Sequence, residues 1–118
     1  MDTVEVEEAY GRYLSAPLFP VRLRELPCRL VLHDVPQTPF EVGPFRVQGN
    51  LVCHPGATVG FRIEKGGRVL AYIPDHEPAL GHTTFPGPSE WTSGYALAED
   101  ADLLLHDAQY LPEEYAIH

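Results

Sequence analysis

The feature that most limits the fold is where proline and glycine fall. Twelve prolines and ten glycines are spread through 118 residues. They separate short apolar runs and form no repeat, so they read as punctuation between short strands. The length suits one small domain, residues 1–118, with a core of its own. No stretch approaches the roughly 18 apolar residues of a membrane helix. Met1-Asp2-Thr3-Val4-Glu5 is acidic and offers neither a basic leader nor an apolar segment, which points to a cytoplasmic protein.

Between these breaks the patterns predict a mixed α/β chain with a strand-rich middle. Val6, Ala9, Tyr10, Tyr13 and Leu14 recur near helical spacing, which predicts a short amphipathic helix over 4–14. Its early glutamates suit the positive end of a helix dipole. Ala16-Pro17-Leu18-Phe19-Pro20 forbids continuation. Cys28 to Val35 reads as a strand. Phe40–Val42 and Phe45–Val47 flank a Gly43-Pro44 turn, and Asn50 to His54 is a further apolar run. Thr58 to Glu64 alternates as a half-buried strand does. Lys65-Gly66-Gly67 then predicts a hairpin turn into Arg68–Ile73, a run apolar enough to be buried on both faces. Residues 76–93 form a long loop. Residues 94–100 and 112–117 suit short helices, and Ala101 to His106 suits a strand.

Charge narrows the partners. The net charge is −9, a field that does not draw nucleic acid or anionic membrane toward the chain. Cys28 and Cys53 each lie in an apolar run and read as buried thiols of a cytosolic protein, with a disulfide as the alternative.

Three polar clusters follow apolar runs. His54 follows Leu51-Val52-Cys53, Asp75-His76-Glu77 follows the run ending at Ile73, and His106-Asp107 follows Leu105. Imidazole nitrogen and carboxylate oxygen at three strand ends suit a metal site along one rim of a sheet, for Zn²⁺, Mn²⁺ or Fe²⁺. Each also has a plainer reading. A histidine at a strand end is often just hydrogen-bonded, an aspartate there is often a turn former, and Glu77-Pro78 is ordinary loop chemistry. His33 and His82 have no partner pattern and read as structural or solvated.

Three segments in order resemble the metallo-β-lactamase superfamily, near its phosphodiesterase-like and tRNA 3′-processing endonuclease-like members. They are His54-Pro55-Gly56-Ala57-Thr58-Val59-Gly60-Phe61-Arg62-Ile63-Glu64, Val69-Leu70-Ala71-Tyr72-Ile73-Pro74-Asp75-His76-Glu77-Pro78 and Ala101-Asp102-Leu103-Leu104-Leu105-His106-Asp107-Ala108. The resemblance spans about residues 12–118. It implies a four-layer αββα sandwich with two facing sheets, a mostly antiparallel or mixed sheet and two or three short helices. It also implies a two-metal Zn or Mn site. In that pattern His54 is a metal ligand and Asp75 a bridging one. His106 and Asp107 match the family's His-Glu-Ala segment, which implies proton transfer beside the metals. His76 has no role in the pattern but sits close enough to be a third ligand.

The chain departs from the family where most ligands arise. The His-x-His-x-Asp-His signature is absent, since no two histidines stand two residues apart. His118 lacks the Gly-His-Ser/Thr context of the family's late histidine, so that role is not carried over. What remains falls short of the about three or four protein ligands of a stable zinc site. The reading is therefore a truncated or split phosphodiesterase-like hydrolase, inactive as an isolated chain. The alternative is a non-catalytic, self-associating or partner-binding domain derived from that fold. Either way, uncovered sheet faces call for a homodimer mate or a complementing chain that carries the missing motif.

Overall fold

A computed structural model describes residues 8, 25–80, 87–109 and 111. The chain divides into two compact units, Met1–Val35 and Pro36–His118. In the first, Glu8 is helical and residues 29–35 have no regular structure. The strand expected over Cys28–Val35 is thus not formed. Its composition favours a strand, but Leu30 and Val31 are exposed and, among the described residues, no strand pairs with them. A β-prone run without a ladder partner has no reason to stay extended. The predicted helices over 4–14 and 112–117 lie outside the described residues, apart from Glu8.

The second unit holds a five-stranded sheet in the order β1-β2-β3-β4-β5. The strands are β1 (Phe40–Val42), β2 (Phe45–Val52), β3 (Thr58–Lys65), β4 (Arg68–Ile73) and β5 (Leu103–His106). The first four form an antiparallel meander, and β5 adds parallel to β4. The described residues of this unit are therefore strand-rich, with a mixed sheet and very little helix: one short helix, Tyr95–Ala98, and one 3₁₀ turn, Ser89–Trp91. No described helix is long and apolar enough to cross a membrane.

Local chemistry explains the hairpins. Gly66 and Gly67 both take positive φ (57° and 75°), which a two-residue hairpin of this twist requires. The turn between β1 and β2 uses Gly43 at φ 55°. β2 differs from expectation by being continuous: Gln48 and Gly49 carry the strand through because Arg62 and Phe61 stand opposite them on β3.

Opposed residues share a face, so the ladder sorts the sheet into two sides. One side carries Val52, Gly60 and Ile73, and Leu97 of the short helix packs there. Leu97 is fully buried, a contribution of roughly 1.5–3 kcal/mol. Arg62 fastens the helix to the sheet, its Nη1 donating to the carbonyls of Leu97 (3.0 Å) and Glu99 (2.6 Å). Cationic donors at the last carbonyls of a helix are favourable. The other side carries Leu51, Phe61, Leu70, Tyr72, Leu103 and Leu105. Leu51 is 72% exposed and Leu103 55%. The expectation of burial on both faces of β4 therefore fails, because Tyr72 is exposed; all of β5 is exposed as well. The composition is apolar, but among the described residues nothing packs fully over that side. The cysteines differ too. Both are free thiols, Cys28 exposed and Cys53 half-buried.

β5 is set in register by Asp102. Its Oδ1 accepts from Arg68 Nη1 (2.6 Å), its Oδ2 accepts from the Val69 N–H (2.8 Å), and its own N–H donates to the Val69 carbonyl (2.9 Å). These bonds, from Arg68 first and Val69 second, hold the carboxyl below its ordinary range. Asp102→Ala removes both side-chain bonds, so the amides of Leu103–His106 should lose protection in hydrogen exchange while those of β3 keep theirs.

Gly60 is required for a different reason. A Cβ there would meet Leu97 Cδ1 at 2.8 Å and Val52 Cγ1 at 3.2 Å. Leu97 is enclosed and has no room to yield. Gly60→Ala should cost about 1–3 kcal/mol, read as a lowered thermal midpoint.

Candidate functional site

Because β2, β4 and β5 run the same way, their C-terminal ends share one rim. His54 follows β2, Asp75-His76-Glu77 follows β4, and β5 ends at His106 before Asp107. Together with Pro78, Ala108 and Gln109 these residues line a cavity of about 180 Å³. The five positions singled out from sequence, His54, Asp75, His76, His106 and Asp107, all face this one cavity.

The backbone explains the convergence. Asp75 takes φ 48°, a left-handed turn that aspartate tolerates at a cost of roughly 1–2 kcal/mol. The chain bends out of β4, and the Glu77 N–H donates to the Cys53 carbonyl (2.9 Å). The Cys53 N–H donates in turn to Ser93 Oγ (2.8 Å). The Asp107 N–H donates to the Ile73 carbonyl (3.3 Å), extending the parallel pairing past β5. The backbone of one residue, Cys53, thus joins the loops carrying His54, His76-Glu77 and Ser93.

The histidines form an ordered chain. His106 Nδ1 bonds the Asp107 carbonyl, and a carbonyl only accepts, so that nitrogen carries the hydrogen. His106 Nε2 is then a lone pair, accepting from His76 Nδ1–H at 2.9 Å. The rings meet edge to face, centroids 5.2 Å apart. His76 Nε2 is buried with no hydrogen-bond partner among the described residues, beside Gly94, where a Cβ would stand 3.6 Å away. Burial first, and His106 second, lower the His76 pKa from the ordinary 6.5; the Ser93 backbone opposes them.

His54 and Glu77 pair differently. His54 Nδ1 lies 3.2 Å from Glu77 Oε1, within ion-pair distance. The approach lacks hydrogen-bond alignment, and Nδ1 is buried without a hydrogen-bond partner. Glu77 belongs to the Asp75-His76-Glu77 cluster, but sequence reasoning read it as ordinary loop chemistry and gave it no site role. Its proline neighbour marks it as loop, and only the bond to Cys53 turns it inward. Ser93 was equally hidden, since nothing local links it to a residue forty positions away.

The resemblance implies metal ions, and the donors present test that. An unpartnered imidazole nitrogen beside a carboxylate is a pair that a divalent transition metal accepts. Among the described residues, no group of three His, Cys, Asp or Glu side chains could hold an ion. The residues thus fit part of a coordination sphere. Comparison with protein-family models, curated proteins and solved structures gives no match.

The lowered His76 pKa has a pH consequence. The folded chain holds the ring neutral where the unfolded chain would protonate it. Stability from the neutral ring is full above the ordinary value near 6.5 and declines as pH falls through it toward the lower folded value. Thermal midpoints measured from pH 8 to 5 should fall on the acid side, and less so in His76→Gln.

Proposed function

We propose that this chain is one part of a metal-dependent hydrolase of the metallo-β-lactamase type, phosphodiesterase-like in chemistry and inactive by itself. The reading rests on one observation: the four residues that match the resemblance, His54, Asp75, His106 and Asp107, line a single cavity together with His76, yet no group of three described donors there could hold an ion. In this reading the sheet is one of two facing sheets of an αββα sandwich with two or three short helices. A segment outside these 118 residues brings the His-x-His-x-Asp-His donors, and the whole is cytoplasmic. His54, Asp75 and His76 would hold Zn²⁺ or Mn²⁺, which supply Lewis acidity and an activated water. His106 and Asp107 would serve as the proton-transfer pair beside the metals, the role their match to the family's His-Glu-Ala segment implies.

A second reading, a non-catalytic domain that self-associates, is favoured by the exposed apolar side around Leu51, Tyr72 and Leu103. Here a homodimer covers the sheet, and no complementing motif is needed.

Reconstitution separates the two. The chain is mixed with a polypeptide carrying the His-x-His-x-Asp-His segment, and hydrolysis of bis-p-nitrophenyl phosphate is followed with Mn²⁺ or Zn²⁺. Turnover should appear only in the mixture, and His106→Ala should lower it about 10²-fold. No gain over either chain alone, together with a dimer in sedimentation, would decide for the second reading.

A further inference from the structure

We propose that Glu77 is a positioning residue for His54: its carboxylate holds the ring hydrogen on Nδ1, so that His54 meets the cavity with the lone pair of Nε2. The pairing goes beyond the hydrolase reading and does not need it. The resemblance gives Glu77 no part.

The sign of the interaction comes first. His54 Nδ1 stands 3.2 Å from Glu77 Oε1. A neutral imidazole carries its hydrogen on one nitrogen and a lone pair on the other. With the hydrogen on Nε2, the Nδ1 lone pair would face a carboxylate oxygen at that distance, two negative ends in contact. With the hydrogen on Nδ1, a positive end faces the carboxylate instead. The approach is too bent for a hydrogen bond, but charge acting on a dipole keeps its sign without full alignment.

Burial gives the preference its size. The Glu77 side chain is 13% exposed, and Nδ1 is shut away from solvent with no hydrogen-bond partner. Little water screens the charge, so the Nδ1–H tautomer is favoured by about ten-fold or more. The other ring nitrogen differs. The His54 side chain is 31% exposed and lines the cavity, and Nε2 is not an enclosed, unpartnered atom. Nε2 is the nitrogen left to meet an incoming group.

Rigidity keeps the pair together. The Glu77 N–H donates to the carbonyl of Cys53, the residue before His54, so the two side chains spring from cross-linked backbone. The Cys53 N–H to Ser93 Oγ bond steadies the same residue from its other side. A carboxylate against one imidazole nitrogen fixes the tautomer and aims the other nitrogen. A hydrogen on Nδ1 also fills the space between the two atoms. In the hydrolase reading, Nε2 is therefore the atom that His54 offers as a ligand.

The tautomer is read directly from ¹⁵N-labelled histidine in the full chain at about pH 8.5, where an ordinary imidazole is neutral. In the parent, His54 Nδ1 should resonate as a hydrogen-bearing nitrogen and Nε2 as a bare one. In Glu77→Gln the preference should fall about ten-fold, toward an even mixture. His106 should keep its hydrogen on Nδ1 in both, held by the Asp107 carbonyl. An Nε2–H form of His54 in the parent would overturn the pairing, and so would an Nδ1–H form undiminished in Glu77→Gln. If Glu77→Gln does not fold, the parent spectrum still decides: Nδ1–H supports the pairing and Nε2–H overturns it. Turnover of the reconstituted mixture judges the hydrolase reading separately. Nδ1–H without turnover keeps the pairing and counts against that reading alone.

Discussion

The backbone of Cys53 is the joint through which the cavity-lining loops are held together. Its carbonyl receives Glu77 and its N–H reaches Ser93, so three loops from distant parts of the chain meet at one residue. Neither bond involves a side chain of Cys53, so the thiol contributes nothing to this joint. A backbone group paired this way is also relieved of the cost of unmet burial. The ladder brings the strand ends to one rim, and these two backbone bonds decide how the loops turn once they leave it.

How much of this was legible depends on how local each signal is. β3, β4 and their turn can be read directly, because alternation and Lys65-Gly66-Gly67 are written in consecutive residues. The continuity of β2 could not be read, because Gln48 and Gly49 become strand only through Arg62 and Phe61 opposite them. The same dependence fails in reverse at Cys28–Val35, where strand-forming residues find no ladder. Candidate chemistry was visible at His54, Asp75, His76, His106 and Asp107 because those types stand just beyond apolar runs. Glu77 and Ser93 were not, since their importance comes from bonds to Cys53 that span 24 and 40 positions.

The two sides of the sheet are unequal in a way that bears on both functional readings. Val52, Gly60 and Ile73 close against Leu97 so tightly that a single added methyl has no place. Across the sheet, Leu51, Tyr72, Leu103 and Leu105 remain in contact with water. Removing those side chains from water is worth roughly 25 cal/mol per Å² of apolar area. Whatever covers them, a second sheet or a second copy, gains from the same surface.

Asp102 acts as an index mark for chemistry four residues away. Side chains alternate across a strand, so sliding β5 by a single position against β4 would exchange the places of Leu105 and His106. An imidazole would then point to the apolar side and a leucine into the cavity. The three bonds from Asp102 to Arg68 and Val69 distinguish one alignment from its neighbour, as a key tooth admits one setting of a lock. A salt bridge on the surface thereby carries positional information for the cavity.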